Sequence, residues 1–252
     1  MNNFASRLRA RESLVGYWVV LDSPPSTERI ASVGYDYVVL DGQHGLLSTR
    51  GILDGLLAID AAAGSTVGLV RVEANNATPI GRALDAGATG VIVPLIDTAE
   101  DAAYAVRAAK YPPSGIRSFG PTRAGQRIGP VPAESDATTV VLAMIETASA
   151  LANVEAICAT PGLDGIYVGP SDLCLAIGGK FPGDPDVAEP FEAAIKRIAQ
   201  AAAAAGVAAG IHTNDGPSAK RRLSEGYSYA TVSSDIDHLH QVAADHLGVV
   251  RG

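Results

Sequence analysis

Residues 140–172 of the chain read VVLAMIETASALANVEAICATPGLDGIYVGPSD. The apolar runs at 140–145 and 165–169 have no polar alternation, which is typical of strands that are buried on both faces of a sheet. The Ala-rich stretch 147–159 between them predicts a helix, and Gly162 follows it where a left-handed helix cap is favoured. This part of the chain therefore predicts a strand–helix–strand unit, in which a right-handed helical crossover joins two parallel strands.

The same unit recurs along the whole chain. Predicted strands occupy residues 15–21, 35–40, 67–72, 90–95, 140–145, 165–169, 207–211 and 229–232. Predicted helices occupy residues 26–33, 49–63, 78–86, 99–110, 147–159, 187–205, 217–225 and 236–247. Eight such units in 252 residues favour a closed α/β fold, the (β/α)8 TIM barrel, over an open sheet. No linker rich in Pro, Gly or Ser divides the chain, so residues 1–252 are predicted to form a single barrel domain.

The composition argues against several classes of protein. A formal net charge of −8 and a pI of about 5.1 disfavour a protein that binds nucleic acid through its phosphates. No apolar run approaches the roughly 18 residues of a membrane-spanning helix, so no membrane association is expected. The two cysteines, Cys158 and Cys174, are too few for a disulfide framework, which favours the cytoplasm.

Ionisable side chains follow five of the predicted strands at their carboxyl ends. Asp41 and His44 follow strand two, Arg71 ends strand three, and Glu146 follows strand five. Asp172 follows strand six, and strand seven leads into His212. Catalytic groups of TIM barrels lie at this end of the strands. The sequence therefore predicts a functional site on one rim of the barrel.

The two carboxylates that follow strands five and six suggest a metal site. Glu146 and Asp172 would offer oxygen ligands of the kind that Mg²⁺ and Mn²⁺ prefer, and no His or Cys stands near them in zinc-ligand spacing. The alternative is that both carboxylates cap the helices that follow them.

His44 and Arg71 each have a catalytic and a structural interpretation. A histidine on the Gly-containing turn after strand two could act as a general base, or be an ordinary loop residue. A guanidinium at the end of an apolar strand could hold a carboxylate or a developing oxyanion, or form a structural ion pair.

The positions of the lysines argue against Schiff-base catalysis, and the lack of glycine-rich phosphate-binding motifs argues against a nucleotide cofactor. The four lysines are at positions 110, 180, 196 and 220, all in predicted helices or loops. A barrel enzyme that forms a Schiff base usually projects its lysine from a strand, so no Schiff-base lysine is expected. No G-x-G-x-x-G follows a strand and no P-loop is present, so no nucleotide cofactor is expected.

Two irregular segments exceed what a minimal barrel needs. Residues 111–136 are rich in Pro, Gly and Arg, and residues 178–186 follow strand six. Connections of this kind are often functional. One of them is predicted to cover the site or to meet a neighbouring subunit, and the alternative is a packed irregular loop.

Several blocks of sequence, taken together, resemble the HpcH/HpaI aldolase family of metal-dependent class II pyruvate aldolases. The blocks are residues 34–45 (GYDYVVLDGQHG), 71–72 (RV), 84–88 (LDAGA), 111–117 (YPPSGIR), 144–147 (MIET) and 165–173 (GIYVGPSDL). The resemblance covers nearly the whole chain and implies a barrel of the phosphoenolpyruvate/pyruvate type. It also implies cleavage of a 4-hydroxy-2-oxo acid to pyruvate and an aldehyde.

The resemblance implies a role for each residue of the rim. Glu146 and Asp172 would hold Mg²⁺, Mn²⁺ or Co²⁺, which pyruvate would chelate. Arg71 would stabilise the enolate oxygen and His44 would be the base. The backbone of Gly169, Pro170 and Ser171 would help to seat the pyruvate carboxylate. The family is typically a hexamer, a trimer of dimers, whose last helix is exchanged between neighbours, so the predicted helix 236–247 is expected at an interface.

The family pattern leaves the partner of His44 open and shows where this chain departs from its relatives. Asp41 is the neighbour in sequence, whereas the family pattern also points to Asp85. The barrel prediction places Asp85 below the rim, so that it would come from another subunit or by a detour of the chain.

Gln43 replaces a glutamate of many relatives. Met144 replaces a glutamine of some relatives, and His212 an apolar residue of others, so both are expected to bind the substrate and influence the choice of aldehyde.

Two other functions are compatible with the same residues. A CoA-thioester lyase of the citrate lyase beta or malyl-CoA lyase type would need a basic groove near the rim, which only Arg117, Arg123 and Arg127 could provide. A non-catalytic carboxylate-binding barrel would bind pyruvate and turn over no hydroxy-oxo acid.

Overall fold

A computed structural model describes residues 4–252 as a closed barrel of eight parallel strands in the order β1 to β8, as the sequence predicts. The strands are β1 Leu14–Val19, β2 Tyr37–Asp41, β3 Val67–Arg71, β4 Gly90–Val93, β5 Val140–Ile145, β6 Gly165–Val168, β7 Ala208–Thr213 and β8 Tyr229–Ser234. The helices are α1 Phe4–Arg9, α2 Pro24–Ala31, α3 Thr49–Ala61, α4 Ala77–Asp85, α5 Ala99–Ala109, α6 Ala124–Arg127, α7 Pro132–Thr138, α8 Ala148–Ala152, α9 Val154–Cys158, α10 Pro170–Ala176, α11 Ala188–Ala205, α12 Gly216–Ser224 and α13 Asp235–Arg251, with a 3-10 turn at Pro185–Val187.

A column of aromatic side chains fills the barrel interior. Phe4 of α1 packs on Tyr37 with a centroid separation of 5.7 Å, and Tyr37 is followed by Tyr229, Tyr167 and Trp18 at 5.6–6.1 Å. Gly16 makes room for this column, since a Cβ there would lie 2.2 Å from the Tyr37 ring. The amino-terminal end of the barrel is thereby plugged, and the open space lies at the carboxyl end of the strands.

The helix predicted over 147–159 is in fact two short helices, α8 and α9, that meet at Asn153. The side-chain amide of Asn153 donates a hydrogen bond of 2.8 Å to the carbonyl of Asp97. This bond ties the point where the two helices meet to the turn after β4. Strand β4 also ends two residues earlier than predicted, at Val93, and Leu95 then adopts a left-handed backbone with φ of 54°.

The segment 111–136 lies at the end of the barrel opposite the predicted site. It connects α5 to β5, contains the unpredicted helices α6 and α7, and is tied to the preceding units by ion pairs. Arg117 donates to Asp85 at 2.7 Å, and Arg123 and Arg127 both donate to Asp60. The prediction that this segment could cover the site of its own chain is therefore wrong, because αβ connections lie at the amino ends of the strands. For the same reason these arginines form no basic groove at the rim.

The last helix, α13, is anchored at its start and projects from the barrel. The Asp235 carboxylate accepts the backbone N–H groups of Val20 and Leu21, and His238 Nδ1 lies 2.8 Å from the Tyr17 hydroxyl oxygen. The exposed apolar side chains of α13 are Ile236, Leu239, Val242, Leu247, Val249 and Val250. Within residues 4–252, none of the helices combines the length and the apolarity that crossing a lipid bilayer requires.

Candidate active site

A cavity of about 270 Å³ opens at the carboxyl ends of the strands. Most of the predicted site residues line it, namely His44, Arg71, Met144, Gly169, Pro170, Ser171, Asp172 and His212. Trp18 and Tyr167 form part of the same wall. The rim that the sequence predicts is thus a concave site of the size that small ligands occupy.

Arg71 is held at the cavity by a buried ion pair with Asp41. Residues 41 and 71 are register partners in the β2–β3 ladder, which places their side chains next to each other. The Asp41 carboxylate accepts Arg71 Nε at 2.9 Å and Arg71 Nη2 at 2.5 Å. Burial opposes the charge of Asp41, but the Arg71 guanidinium outweighs it, so the pKa of Asp41 lies below its usual value.

Trp18 fixes the same pair from the other side. The Arg71 guanidinium lies 5.0 Å from the centre of the Trp18 ring, and Trp18 Nε1 donates to Asp41 Oδ2 at 3.2 Å. The sequence gives one signal for Trp18: it stands two residues after Gly16, on the face of β1 that points into the barrel. A guanidinium held by two hydrogen bonds and an aromatic face has little freedom, which suits a group that must meet a developing charge.

Asp41 does not hydrogen-bond the His44 ring, so the prediction that Asp41 is the carboxylate partner of the His44 imidazole is wrong. Its Oδ1 atom accepts the backbone N–H groups of Gln43 at 3.0 Å and of His44 at 3.1 Å, while Arg71 occupies both oxygens. Asp41 therefore shapes the turn that carries His44. Among residues 4–252, no side chain hydrogen-bonds the His44 imidazole.

Asp85, the other candidate partner of His44, is the last residue of α4 and lies away from the cavity of its own chain. Its Oδ1 atom accepts Arg117 Nη2 at the plugged end of the barrel. The intrachain route from Asp85 to His44 is therefore wrong, because the length of the barrel separates them.

Glu146 lies beneath the rim with its side chain almost fully buried. Its Oε1 atom accepts the backbone N–H of Leu95 at 2.8 Å. Burial raises the pKa of Glu146, and the negative charge of Asp172 raises it further. Asp172 itself is exposed in the first turn of α10. The two predicted ligands thus interact electrostatically, one from below the rim and one from its edge.

The donor set at Glu146 and Asp172 fits a hard cation with few protein ligands. Within residues 4–252, no group of three or more His, Cys, Asp or Glu side chains is arranged to hold a metal ion. Two carboxylates that leave positions for water and substrate oxygens are what Mg²⁺ commonly uses. A positive charge would also relieve the cost of burying the Glu146 carboxylate, which has one hydrogen bond from the described residues.

Gly169 allows the backbone after β6 to approach Glu146 closely. A Cβ at this position would lie 2.7 Å from Glu146 Oε2 and 2.8 Å from the terminal methyl carbon of Met144. The predicted motif 169–171 therefore needs glycine at its first position for a steric reason.

His212 is a neutral side chain of the cavity wall. Its Nδ1 atom lies 3.1 Å from the Thr231 hydroxyl oxygen, and its ring packs edge-on against Trp18 at 5.5 Å. Burial, and next the positive charge of Arg71, lower the pKa of His212 to about 4. At neutral pH the ring is therefore uncharged and can exchange hydrogen bonds without adding charge.

Comparison with known proteins gives consistent matches over nearly the whole chain. The model of the HpcH/HpaI aldolase/citrate lyase family matches residues 14–241. The hydroxypyruvate/pyruvate aldolase of Rhizorhabdus wittichii is 38% identical over 240 residues, which cover 93% of this chain and 94% of that protein. The 5-keto-4-deoxy-D-glucarate aldolase of Klebsiella pneumoniae is 36% identical over 239 residues, which cover 93% of this chain and 91% of that protein.

A solved structure agrees with the fold. The crystal structure of an HpcH/HpaI aldolase/citrate lyase family protein from Burkholderia cenocepacia superimposes with a TM-score of 0.91 at 35% sequence identity. The match covers 100% of both chains.

Proposed function

The chain belongs to the HpcH/HpaI aldolase/citrate lyase family, and from this premise we propose that it is a class II aldolase acting on a 4-hydroxy-2-oxo acid. It is a carbon–carbon lyase that releases pyruvate and an aldehyde. The observation that carries the proposal is the placement of Arg71, which Asp41 and Trp18 hold against the cavity that Asp172 also lines.

Glu146 and Asp172 would hold the divalent cation, Mg²⁺ or Mn²⁺. When bound, the cation supplies a Lewis acid that polarises the 2-oxo group of the substrate. The buried Glu146 carboxylate contributes a full negative charge in a site of low dielectric, where its attraction for a cation is strong. The backbone of Gly169, Pro170 and Ser171 forms the adjacent wall and is placed to seat the substrate carboxylate.

Arg71 stabilises the negative charge that develops on the 2-oxo oxygen when the C3–C4 bond breaks. Its guanidinium is already fixed by Asp41, so little reorganisation is needed at the moment of reaction. A planar guanidinium that is bound along one edge by Asp41 and on one face by Trp18 points its remaining N–H groups in a defined direction.

His44 acts as the base that takes the proton from the 4-hydroxyl group and exchanges protons at C3 of pyruvate. Its ring lines the cavity. The Asp41 carboxylate is committed to Arg71, so we assign the carboxylate partner of His44 to Asp85 of another copy of the chain. Asp85 is half-buried at the plugged end of its own barrel, where Arg117 donates to its Oδ1 atom. Within residues 4–252 no hydrogen bond is made to its Oδ2 atom, which leaves that oxygen for a neighbour.

His44→Ala tests this role. The variant is expected to bind Mn²⁺ as the wild type does, since the ligands are intact, and to lose about 10²–10⁴-fold in pyruvate C3 exchange. Calorimetry with Mn²⁺ and proton NMR in D₂O measure the two properties. Added imidazole is expected to restore part of the exchange. Unchanged exchange, or loss of Mn²⁺ binding together with exchange, would remove the assignment of His44 as the base.

The proposal as a whole is tested by proton exchange at C3 of pyruvate with Mg²⁺ or Mn²⁺ in D₂O. The methyl signal of pyruvate is expected to decay only when protein and cation are both present. Failure to exchange with any divalent cation would falsify the aldolase proposal. Pyruvate binding without exchange or turnover would instead favour the non-catalytic barrel.

Gly169→Ala tests the assignment of Glu146 as a ligand. The added Cβ must displace the Glu146 carboxylate or the Met144 side chain, and overpacking of this kind costs about 1–3 kcal/mol. Mn²⁺ binding is expected to weaken by about tenfold. Gly81→Ala on α4 is the matched control, because nothing lies within 4 Å of its added Cβ. Equal Mn²⁺ affinities for the two variants would show that this close approach does not matter for the cation.

The aldehyde half of the substrate has room beside the pyruvate site. A second cavity of about 340 Å³ shares Pro170, Ser171 and His212 with the first, and residues 182–184 of the second irregular segment form its outer wall. We assign the choice of aldehyde to the uncharged wall that Met144 and His212 give the first cavity. A CoA-thioester lyase has no comparable support, since Arg117, Arg123 and Arg127 lie at the plugged end.

We propose a cytoplasmic homohexamer, a trimer of dimers, in which α13 packs on neighbouring copies. Six exposed apolar side chains on one helix are more than a surface helix usually leaves in water. Light scattering after size exclusion is expected to give six times the chain mass of 25.8 kDa. A monomer at micromolar concentration would contradict the hexamer and the assignment of Asp85 of another copy to His44, and would leave the rest of the aldolase proposal in place.

A further inference from the structure

Leu95 has a backbone conformation that its own side chain does not explain. It follows β4 at the rim of the barrel with φ of 54°, a region that residues with a Cβ rarely adopt. Its side chain is 56% exposed, so no buried packing compensates for the strain. Strain of this kind persists where the surrounding structure imposes it, and it concentrates at functional sites.

The left-handed backbone of Leu95 places its N–H group within hydrogen-bond distance of Glu146. The Leu95 N–H donates to Glu146 Oε1 at 2.8 Å, and it is the single hydrogen bond that residues 4–252 give this carboxylate. The other oxygen, Oε2, lies beside Gly169, where even a Cβ would come within 2.7 Å of it. One oxygen of the carboxylate is thus fixed by an amide and the other is left beside the cavity wall.

Two contacts from the segment after Glu146 hold the rim turn in place. The Asp97 carboxylate accepts the hydroxyl of Thr147, and the Asp97 carbonyl accepts the Asn153 side-chain amide at 2.8 Å. Thr147 is the residue next to Glu146. The turn that contains Leu95 and the segment that contains Glu146 are therefore fastened to each other at Asp97, two residues after the strained residue.

We propose that the left-handed backbone of Leu95 is a positioning device for Glu146. Its amide occupies Oε1 and so directs Oε2 toward the cation, while the Leu95 side chain takes no part. The inference rests on the proposed function, because it assumes that Glu146 binds the cation. Leu95 is a positioning residue, since it acts only through Glu146.

Two variants of similar size separate backbone conformation from side-chain chemistry. Asparagine tolerates the left-handed region but lacks the hydrophobicity of leucine. Isoleucine keeps the hydrophobicity and volume of leucine but does not tolerate the left-handed region. Leu95→Asn is therefore expected to bind Mn²⁺ within about twofold of the wild type, and Leu95→Ile at least about tenfold more weakly. Calorimetry with Mn²⁺ alone gives the affinities without substrate or turnover.

Arg11 provides the matched control, since it has φ of 56° at the plugged end of the barrel. Arg11→Ile imposes the same backbone conflict far from Glu146 and is expected to lower the unfolding temperature without changing Mn²⁺ affinity. Wild-type affinity in Leu95→Ile, or weaker binding in Leu95→Asn than in Leu95→Ile, overturns the inference. If Glu146→Gln binds Mn²⁺ as the wild type does, Glu146 is not a ligand and the proposed function itself fails. Failure of the proposed function is thereby distinguished from failure of the inference about Leu95.

Discussion

Glu146→Gln is expected to lose Mn²⁺ binding and to reduce pyruvate C3 exchange by about 10³-fold or more, because a ligand charge in a site of low dielectric is worth several kcal/mol. The fold is expected to survive, since the glutamine oxygen can still accept the Leu95 N–H. Burial raises the pKa of Glu146, so its charged form destabilises the cation-free protein at neutral pH. The variant without cation should therefore be at least as stable as the wild type in urea.

Calorimetry, NMR exchange and urea unfolding on the same preparation separate these effects. Glu155→Gln is the control, because Glu155 lies on α9 and pairs with Arg197 on the surface. Only the Glu146 variant should lose Mn²⁺. Retained Mn²⁺ affinity in Glu146→Gln would mean that the cation, and with it the proposed chemistry, lies elsewhere.

Arg71→Met is expected to damage both stability and activity, for different reasons. Removing the guanidinium leaves the buried Asp41 carboxylate without its partner, which costs about 3–5 kcal/mol of unfolding free energy. It also removes the donor that we assign to the developing oxyanion, and a donor of this kind is worth about 10²–10³-fold in rate.

The double variant Asp41→Asn, Arg71→Met separates the two effects. The neutral pair leaves no buried charge, so most of the lost unfolding free energy should return while C3 exchange stays low. Urea unfolding at fixed protein concentration and NMR exchange provide the two measurements. If exchange returns with stability, Arg71 serves the fold alone and another group must meet the enolate charge.

The sequence predicts residues of the cavity wall better than it predicts their hydrogen-bond partners. Arg71, Glu146 and Asp172 stand at strand ends in the sequence, and parallel strands bring all such ends to one rim. That rule follows from the topology alone, which is why the barrel and several of the residues lining its cavity could be predicted from the sequence.

Hydrogen-bond partners, in contrast, depend on register and on backbone conformation. Asp41 and Arg71 are 30 positions apart and meet because the β2–β3 ladder puts them side by side. Asp41 is only three positions from His44, yet its carboxylate contacts the backbone of that residue and not its ring. The left-handed Leu95 has no signal in the sequence, since leucine gives no warning of positive φ.

The plugged barrel also constrains the order of molecular events. Phe4 and the tyrosines beneath Trp18 leave no passage along the axis within the described part of the chain. Everything that enters must leave by the same mouth. Under the proposed function, the oxo-acid half lies against Arg71 in this cavity, and the aldehyde fragment is then expected to leave first and pyruvate second. The order of product release would then be set by the single opening of the cavity and not by the relative affinities of the two products.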